Sequence, residues 1–257
     1  MKKLIAFDLD GTIAPSKSPL PDEMAELFPH LLDKFDVCVI SGGKFGQFET
    51  QLLNGLHASD AQLVKLHIMP TCGTQYYRYD TQKDMWQRRY AELLTEAEKK
   101  KIIAALNQGF ADLGYVAEKT YGETAEDRES QITYSVLGQD IVTVLGEEGL
   151  KMKEAWDPDD RKKQAVRDYV APLLPEFEVR VGGVTSIDVT KPGIDKAYGM
   201  SKLMDALQID KDDILFMGDR IRPGGNDYPV KEMGIDSLEV SDWRNTAQII
   251  TGILHVL

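Results

Sequence analysis

The amino-acid sequence predicts an α/β protein in which a parallel-sheet domain is interrupted by a separate α+β domain. Three observations lead to this prediction. Short apolar runs near both ends of the chain alternate with amphipathic stretches, which is the pattern of strand-helix-strand units. These runs end abruptly in polar or glycine-rich turns. The middle of the chain instead combines alternating strand patterns with two long helical patterns, which is typical of an α+β domain.

The N-terminal part of the sheet domain has the clearest pattern. Residues 4–7 form an apolar run that predicts a buried strand, and residues 21–34 have helical periodicity. A second apolar run, 37–40, ends in the turn Ser41-Gly42-Gly43. Weaker patterns predict a helix over 43–53 and strands over 63–69 and 75–79.

The middle of the chain predicts a helix over 95–113, strands over 131–137 and 141–145, and a second helix over 158–173. The sheet pattern then returns, with a strand over 185–189, a helix over 194–207 and a strand over 214–217. We therefore predict a sheet domain made of residues 1–83 and 187–257, with an inserted domain at 84–186.

Composition excludes several classes of protein. The chain has 257 residues, 42% of them hydrophobic, which is enough for a sizeable core. A formal net charge of -12 disfavours nucleic acid and anionic membranes as partners. Two cysteines without a disulfide or zinc pattern favour a reducing compartment, so we expect a cytoplasmic protein.

Two carboxylates, Asp8 and Asp10, stand two residues apart at the end of the first predicted strand. Like charges repel there and desolvation is costly, and a bound cation would resolve this conflict. Magnesium is suitable because it prefers a few hard oxygen ligands and keeps water or phosphate oxygens in its octahedron. Asp219, at the end of another apolar run, is well placed to complete the site, and Asp227 follows eight residues later.

This arrangement suits phosphoryl transfer, which needs an in-line nucleophile and positive charge around the phosphoryl oxygens. Asp8 is the candidate nucleophile and Asp10 the candidate acid-base, with Lys196 and Ser41 as candidates to hold the phosphoryl group. Taken alone, the Asp-x-Asp pair is as compatible with turn or capping carboxylates as with a metal site. The four segments together favour the catalytic interpretation.

Those segments are FDLDGT, ISGG, GIDKAYG and GDRIRPGGND. In this order they resemble the four motifs of the haloacid dehalogenase superfamily, which consists largely of phosphatases and phosphomutases that use an aspartyl-phosphate intermediate. The resemblance implies a Rossmann-like core with an inserted α/β cap. It also implies roles for individual residues: Asp8 as nucleophile, Asp10 as acid-base and backbone ligand of magnesium, Ser41 as phosphoryl hydrogen-bond donor, Lys196 as charge stabiliser and Asp219 as metal ligand.

Within this superfamily the chain is most similar to eukaryotic-type phosphomannomutases. GDRIRPGGND resembles their GDKTMPGGND, GGVTSIDVTKPGIDK resembles their GGQISFDVFPDGWDK, and FGQFETQL resembles their FxKxxEQL. The resemblance implies that Ser186 and Asp188 contact a sugar phosphate, and that the protein associates through its cap as a homodimer. The other substrate-binding candidates are Lys17, Gly42, Gly43 and Arg128, and Asn226 and Asp227 are candidates to support the metal site.

The chain departs from that pattern in the cap. A mutase must hold a second phosphate, which the family does with several cap arginines, but Gln139 stands where one of these is expected. Arg128 is retained, while Arg180 and Arg88 remain alternatives for the missing contact. We therefore expect a magnesium-dependent phosphatase acting on a small sugar phosphate. A phosphomannomutase is the alternative, and a non-catalytic sugar-phosphate sensor is less favoured because it would keep a costly carboxylate pair unused.

Overall fold

The computed structural model describes residues 2–256, within which there are eleven strands and ten α-helices. The strands are β1 (Leu4–Phe7), β2 (Asp36–Ile40), β3 (Leu66–Met69), β4 (Gln75–Asp80), β5 (Met85–Ala91), β6 (Ala125–Asp127), β7 (Gln131–Ser135), β8 (Glu178–Val181), β9 (Ser186–Thr190), β10 (Ile214–Gly218) and β11 (Asp236–Glu239). The helices are α1 (Asp22–Lys34), α2 (Phe45–Gln51), α3 (Asp60–Leu63), α4 (Glu96–Asp112), α5 (Ile141–Leu145), α6 (Glu147–Trp156), α7 (Arg161–Val170), α8 (Lys196–Leu207), α9 (Tyr228–Glu232) and α10 (Trp243–His255).

The chain divides into two compact units, a sheet unit that runs up to Ala91 and resumes at Ile194, and an inserted unit, Glu92–Gly193. Both boundaries lie later than the predicted insertion at 84–186. The reason is strand pairing: β5 pairs with β4 in the sheet unit, whereas β9 lies between β7 and β8 in the inserted unit. Composition alone does not reveal which partner a strand will pair with.

The sheet unit contains a seven-stranded sheet with the order β11-β10-β1-β2-β3-β4-β5. The first five of these are parallel, and β4 and β5 form an antiparallel edge. Phe7 of β1 lies beside Val39 on one side and Met217 on the other, so the carboxyl ends of three strands are level. In open α/β sheets this edge is where ligands bind.

Both faces of this sheet are covered at its centre, which explains why the central strands β1 and β10 are apolar throughout. Alternate residues Ile5 and Phe7 face a core shared with α1 and α10, while Leu4 and Ala6 face a core shared with α8. All four side chains are at most 1% exposed. The loops that follow the central strands are therefore carried on a rigid support.

The inserted unit has a four-stranded antiparallel sheet with the order β6-β7-β9-β8. One face packs against α4 and α7 through a separate apolar cluster that includes Ile132, Ile187 and Phe110. The residues that alternate with the apolar ones along β7 and β9 are polar, among them Thr133 and Asp188. This unit therefore has its own core and one polar sheet face.

The prediction of a strand at 141–145 is wrong, because the segment forms helix α5. The run Ile-Val-Thr-Val-Leu favours a strand by propensity, but a short apolar run does not distinguish a strand from a packed helix. Helix α5 packs closely against α6, where a side chain at Gly149 would collide with the carbonyl oxygen of Ile141. Tertiary packing thus overrides the local preference.

Other differences concern boundaries and missed elements. The predicted strand at 63–69 is split into the end of α3 and strand β3, and the predicted helix at 43–53 is shortened to α2. Strands β5, β6, β8 and β11 and helices α3, α6, α9 and α10 were not predicted. Among residues 2–256, none of the helices combines the length and the apolar character that crossing a membrane would require.

His67 in β3 is a buried titratable group of the sheet unit, with 1% of its surface exposed. Its Nδ1 forms a 2.7 Å hydrogen bond with the Tyr76 hydroxyl. Burial, assisted by the nearby Arg78 cation, lowers the pKa of His67 to about 3. An unfolded histidine has a pKa of about 6.5, so between these values the unfolded chain binds a proton that the folded chain excludes.

We therefore expect His67→Gln to make the sheet unit less sensitive to acid. Between pH 7 and pH 5 the parent protein should lose about 2 kcal/mol more unfolding free energy than the variant. Denaturant titrations in a Trp156→Phe background would measure this, because the remaining Trp86 and Trp243 lie in the sheet unit. Equal losses in the two proteins would show that His67 is not the source.

Candidate active site

Asp8 is the first residue after β1 and is almost fully buried, with 4% of its surface exposed. Its backbone N–H donates to the carbonyl oxygen of Met217, which continues the pairing with β10. Its Oδ1 accepts two hydrogen bonds of 2.7 Å, from the Leu9 backbone N–H and from Nζ of Lys196. The sheet and the lysine together fix the orientation of this carboxylate.

Lys196 is the first residue of α8, which is capped by the Asp195 side chain. Its side chain is 1% exposed, and Nζ lies 2.7 Å from Oδ1 of Asp8 and 2.5 Å from Oδ1 of Asp227. Burial by itself would lower the pKa of Lys196, but the two carboxylates raise it above its ordinary value. The lysine is therefore a permanent positive charge between two acidic groups.

Three carboxylates, those of Asp8, Asp219 and Asp227, each place an oxygen within 4.8 Å of the others. Two glycines make this approach possible. A β-carbon on Gly11, whose φ is +79°, would lie 2.8 Å from Oδ2 of Asp219, and one on Gly218 would lie 2.4 Å from Oδ2 of Asp227. Glycine is the residue that permits such close contact between a side chain and the backbone.

This cluster fits a divalent cation. It offers hard oxygen donors from three carboxylates, against which Lys196 supplies one positive charge and the more exposed Arg220, 3.7 Å from Asp219, a second. Burial raises the pKa of the Asp8 carboxyl to about 7; Lys196 opposes this shift and Asp227 adds to it. Burial, together with Asp227, also raises the pKa of Asp219. A bound cation would offset both the burial of these carboxylates and their mutual repulsion.

Asp10 lies outside this cluster, and its side chain is held by helix α2. Its Oδ2 accepts a 2.7 Å hydrogen bond from Nε2 of Gln47. Its Oδ1 accepts one of 3.1 Å from Nε2 of Gln51 and one of 2.7 Å from the backbone N–H of Lys17. The sequence analysis predicted that Asp10 binds magnesium through its backbone carbonyl and not through its side chain. The position of the side chain outside the cluster is therefore compatible with an acid-base role.

The two glutamines were missed as site residues by the sequence analysis. The available signal was their spacing, because side chains four residues apart on a helix lie on the same side. This helix directly follows the Ser41-Gly42-Gly43 turn. Asp227 was predicted only to support the site, but its contact with Lys196 and its place among the carboxylates put it at the centre.

Ser41 is buried at the end of β2, and its Oγ accepts a 3.2 Å hydrogen bond from the backbone N–H of Gly43. Two backbone hydrogen bonds from the segment after β3 stabilise this turn. Thr71 N–H donates to the carbonyl oxygen of Gly43 and Cys72 N–H donates to that of Ser41, both at 2.9 Å. Thr71 and Cys72 both have positive φ, of 48° and 55°. This conformation is unfavourable for non-glycine residues, so the surrounding structure must hold it in place.

The other predicted residues of the sheet unit are more peripheral. Lys17 and Asn226 are exposed, and Lys17 contributes its backbone N–H to Asp10. Gly42, which follows Ser41 in the turn after β2, is partly buried.

Three predicted substrate residues, Arg128, Ser186 and Asp188, belong to the inserted unit. Asp188 accepts a 2.8 Å hydrogen bond from Oγ1 of Thr133 on the neighbouring strand. Burial raises the pKa of Asp188, and Arg128 opposes that shift. Arg128 is paired with Glu126 at 2.8 Å. The prediction that these residues contact a substrate stays a prediction.

Gln139 has a structural role within the inserted unit. Its Nε2 donates to the backbone carbonyl oxygens of Thr124 and Thr133, both at 3.1 Å. The carboxamide therefore links two backbone segments of this unit. Arg180, the alternative cation, is paired with Glu178 at 2.6 Å.

A family model described as haloacid dehalogenase-like hydrolase matches residues 5–229. The chain belongs to this family. It is 26% identical over 235 residues to a phosphomannomutase from Schizosaccharomyces pombe, an alignment that covers 89% of this chain and 85% of the relative. It is 27% identical over 240 residues to human phosphomannomutase 1, with coverage of 88% and 82%.

Among solved structures, a C-terminally truncated IMP-nucleotidase from Plasmodium falciparum superposes with a TM-score of 0.69 at 16% identity, covering 100% of this chain and 72% of that one. This likeness concerns the fold alone. The family match and the phosphomannomutase relatives together identify this protein as an enzyme of the phosphatase or mutase type. The predicted fold class and the predicted family resemblance are both confirmed.

The geometry predicts that Lys196→Met is strongly destabilising. The substitution leaves the buried carboxylates of Asp8 and Asp227 without their cation, and breaking a buried pair typically costs about 3–5 kcal/mol. Denaturant titration in the presence of EDTA would measure the loss, with the exposed Lys34→Met as control. Added magnesium should recover part of it, and a loss no larger than that of the control would contradict the assignment of the charges.

Proposed function

We propose that this enzyme is a magnesium-dependent phosphatase that hydrolyses a small sugar phosphate through a phosphorylated Asp8. The observation that carries the proposal is the placement of Asp8 at the end of β1, where it contacts Lys196 and belongs to the carboxylate cluster. Because Oδ1 of Asp8 accepts from Leu9 and Lys196, Oδ2 is the oxygen that attacks phosphorus. Lys196 stabilises the negative charge of the transferring group.

Asp10 supplies the proton transfers. In the first step Oδ2 of Asp8 bonds to phosphorus, the ester P–O bond breaks, and the leaving alkoxide takes a proton from the Asp10 carboxyl. In the second step Asp10 removes a proton from water, the water oxygen bonds to phosphorus, and the bond to Asp8 breaks. Inorganic phosphate and the free Asp8 carboxylate are the products.

The residues proposed to hold magnesium are Asp8, Asp219 and the backbone carbonyl of Asp10, with Asp227 and Asn226 in support. When bound, the ion would neutralise negative charge on the phosphoryl oxygens and on the carboxylates around it. The carboxylate cluster and its excess of negative charge support this assignment.

A sugar phosphate as substrate is supported by the phosphomannomutase relatives and by the resemblance around Ser186 and Asp188. Hydrolysis is preferred to mutase activity because of the inserted unit. Gln139 replaces an expected arginine and bonds to backbone carbonyl groups, and Arg128 is paired with a glutamate. A second phosphate dianion would therefore meet less positive charge than a mutase requires.

Phosphomannomutase activity is the second candidate. It is favoured by relatives of that name that align with 88–89% of this chain. Arg128 and Arg180 are both present in the inserted unit and would have to exchange their glutamate partners for a phosphate.

A phosphate-release assay over a panel of sugar mono- and bisphosphates with magnesium tests the proposal, run beside a coupled assay for interconversion of mannose 1-phosphate and mannose 6-phosphate. We expect phosphate release without isomerisation, and a fall of at least about 1000-fold in release for Asp8→Asn, because the nucleophile is removed. Isomerisation that is faster than release and is stimulated by a sugar bisphosphate would instead establish the mutase.

Metal dependence gives a test that does not need a substrate. Magnesium should raise the thermal unfolding midpoint of the parent protein, since a ligand at 100 times its dissociation constant stabilises by about 2.7 kcal/mol. Asp219→Asn should lose most of this shift, whereas Asp212→Asn, an exposed carboxylate outside the cluster, should keep it. In the separate assay with a sugar phosphate, EDTA should abolish phosphate release. Retention of the full shift by Asp219→Asn would refute the proposed ligand set.

A further inference from the structure

Helix α2 presents two carboxamides to Asp10. Gln47 and Gln51 are four residues apart and thus lie on one side of the helix. Nε2 of Gln47 donates to Oδ2 of Asp10 at 2.7 Å and to Oε1 of Gln51 at 2.5 Å. The two side chains therefore form a connected pair whose donors meet both oxygens of one carboxyl group.

Gln51 is the anchored member of the pair. It is 2% exposed, and besides Asp10 its Nε2 donates to the carbonyl oxygen of Ser18 at 3.0 Å. Its backbone carbonyl accepts from the N–H of Leu20. Gln51 thus joins the loop that follows Asp10 to the helix, and its loss would disturb the fold as well as the carboxyl group.

Gln47 differs from Gln51 because its side chain donates to Asp10 and Gln51 and not to the backbone of the loop. It is partly buried, and its Oε1 packs so closely against Gly43 that a β-carbon there would be 2.1 Å away. Gln47 therefore spans the distance between the turn that carries Ser41 and the carboxyl group of Asp10. The phosphomannomutase pattern FxKxxEQL has lysine at this position, so the neutral donor is a feature of this chain.

We propose that Gln47 is a positioning residue for acid-base catalysis, which holds the Asp10 carboxyl group in the orientation needed to exchange protons with the leaving oxygen and with water. This inference rests on the proposed function, in which Asp10 carries those protons. Proton transfer requires heavy atoms about 2.6–3.2 Å apart, and a displacement of about 1 Å can cost roughly 100-fold in rate. Without Gln47, Oδ2 of Asp10 loses the 2.7 Å hydrogen bond that orients it.

The test compares two leaving groups in the variant Gln47→Met, which keeps the side-chain volume and removes the donor. An alkyl phosphate, taken as the sugar monophosphate that the parent enzyme hydrolyses fastest, needs a proton on its leaving oxygen. p-Nitrophenyl phosphate does not, because its phenolate is a stable leaving group. The quantity kcat/KM for the latter reports transfer to Asp8 alone, before water is activated.

We expect kcat/KM for the sugar monophosphate to fall about 10- to 100-fold and that for p-nitrophenyl phosphate to change by no more than about 3-fold. Glu49→Gln, an exposed residue of the same helix, should leave both values unchanged. Gln47→Lys, which restores a donor, should recover most of the lost ratio. A partly unfolded preparation lowers the two kcat/KM values by the same factor, so the ratio between the two substrates still reports the specific effect of the substitution.

Two results would overturn the inference: an equal fall on both substrates, which indicates a structural role, or no fall on either. Failure of the proposed function would be recognised separately, in the parent enzyme. A parent enzyme that neither releases phosphate from these substrates nor interconverts mannose 1-phosphate and mannose 6-phosphate would refute the roles of Asp8 and Asp10, and with them the role of Gln47.

Discussion

The candidate site depends on one interaction, the contact of the buried Lys196 ammonium group with the carboxylates of Asp8 and Asp227. Buried charges are costly unless they are paired, so this group is stable only when all three side chains are in place. They come from the end of β1, the start of α8 and the turn before α9, segments far apart in the chain. The site is therefore complete only when these segments of the sheet unit have come together.

The parallel sheet supplies the rigidity that this interaction requires. Because both of its faces are buried, the carboxyl ends of β1, β2 and β10 are fixed relative to one another, and Asp8, Ser41 and Asp219 follow them directly. The rigid surroundings also hold Thr71 and Cys72 in their unfavourable backbone conformation. In this conformation the N–H groups of these two residues donate to the turn that contains Ser41.

Asp8 and Asp10 show how two carboxylates two residues apart acquire different surroundings, which suit the different roles proposed for them. The intervening Leu9 is fully buried. Asp8 lies with a lysine and two further acidic groups, whereas neutral amide donors surround Asp10. A nucleophile needs stabilisation of its charge in a site with little water, while an acid-base group needs a defined orientation. Separate environments for paired carboxylates are how such roles are assigned.

The sequence by itself determined the fold class, the order of the motifs and the residues Asp8, Ser41, Lys196 and Asp219 that the fold brings to one region of the sheet unit. It could do so because these signals are local: an apolar strand followed at once by a polar or glycine-rich turn. Only the tertiary structure decided that residues 141–145 form a helix, that β9 belongs to the inserted unit, and that Gln47 and Gln51 reach Asp10. Each of these depends on contacts that exist only in the folded chain: the packing of α5 against α6, the pairing of β9 with β7 and β8, and the side-chain hydrogen bonds to Asp10.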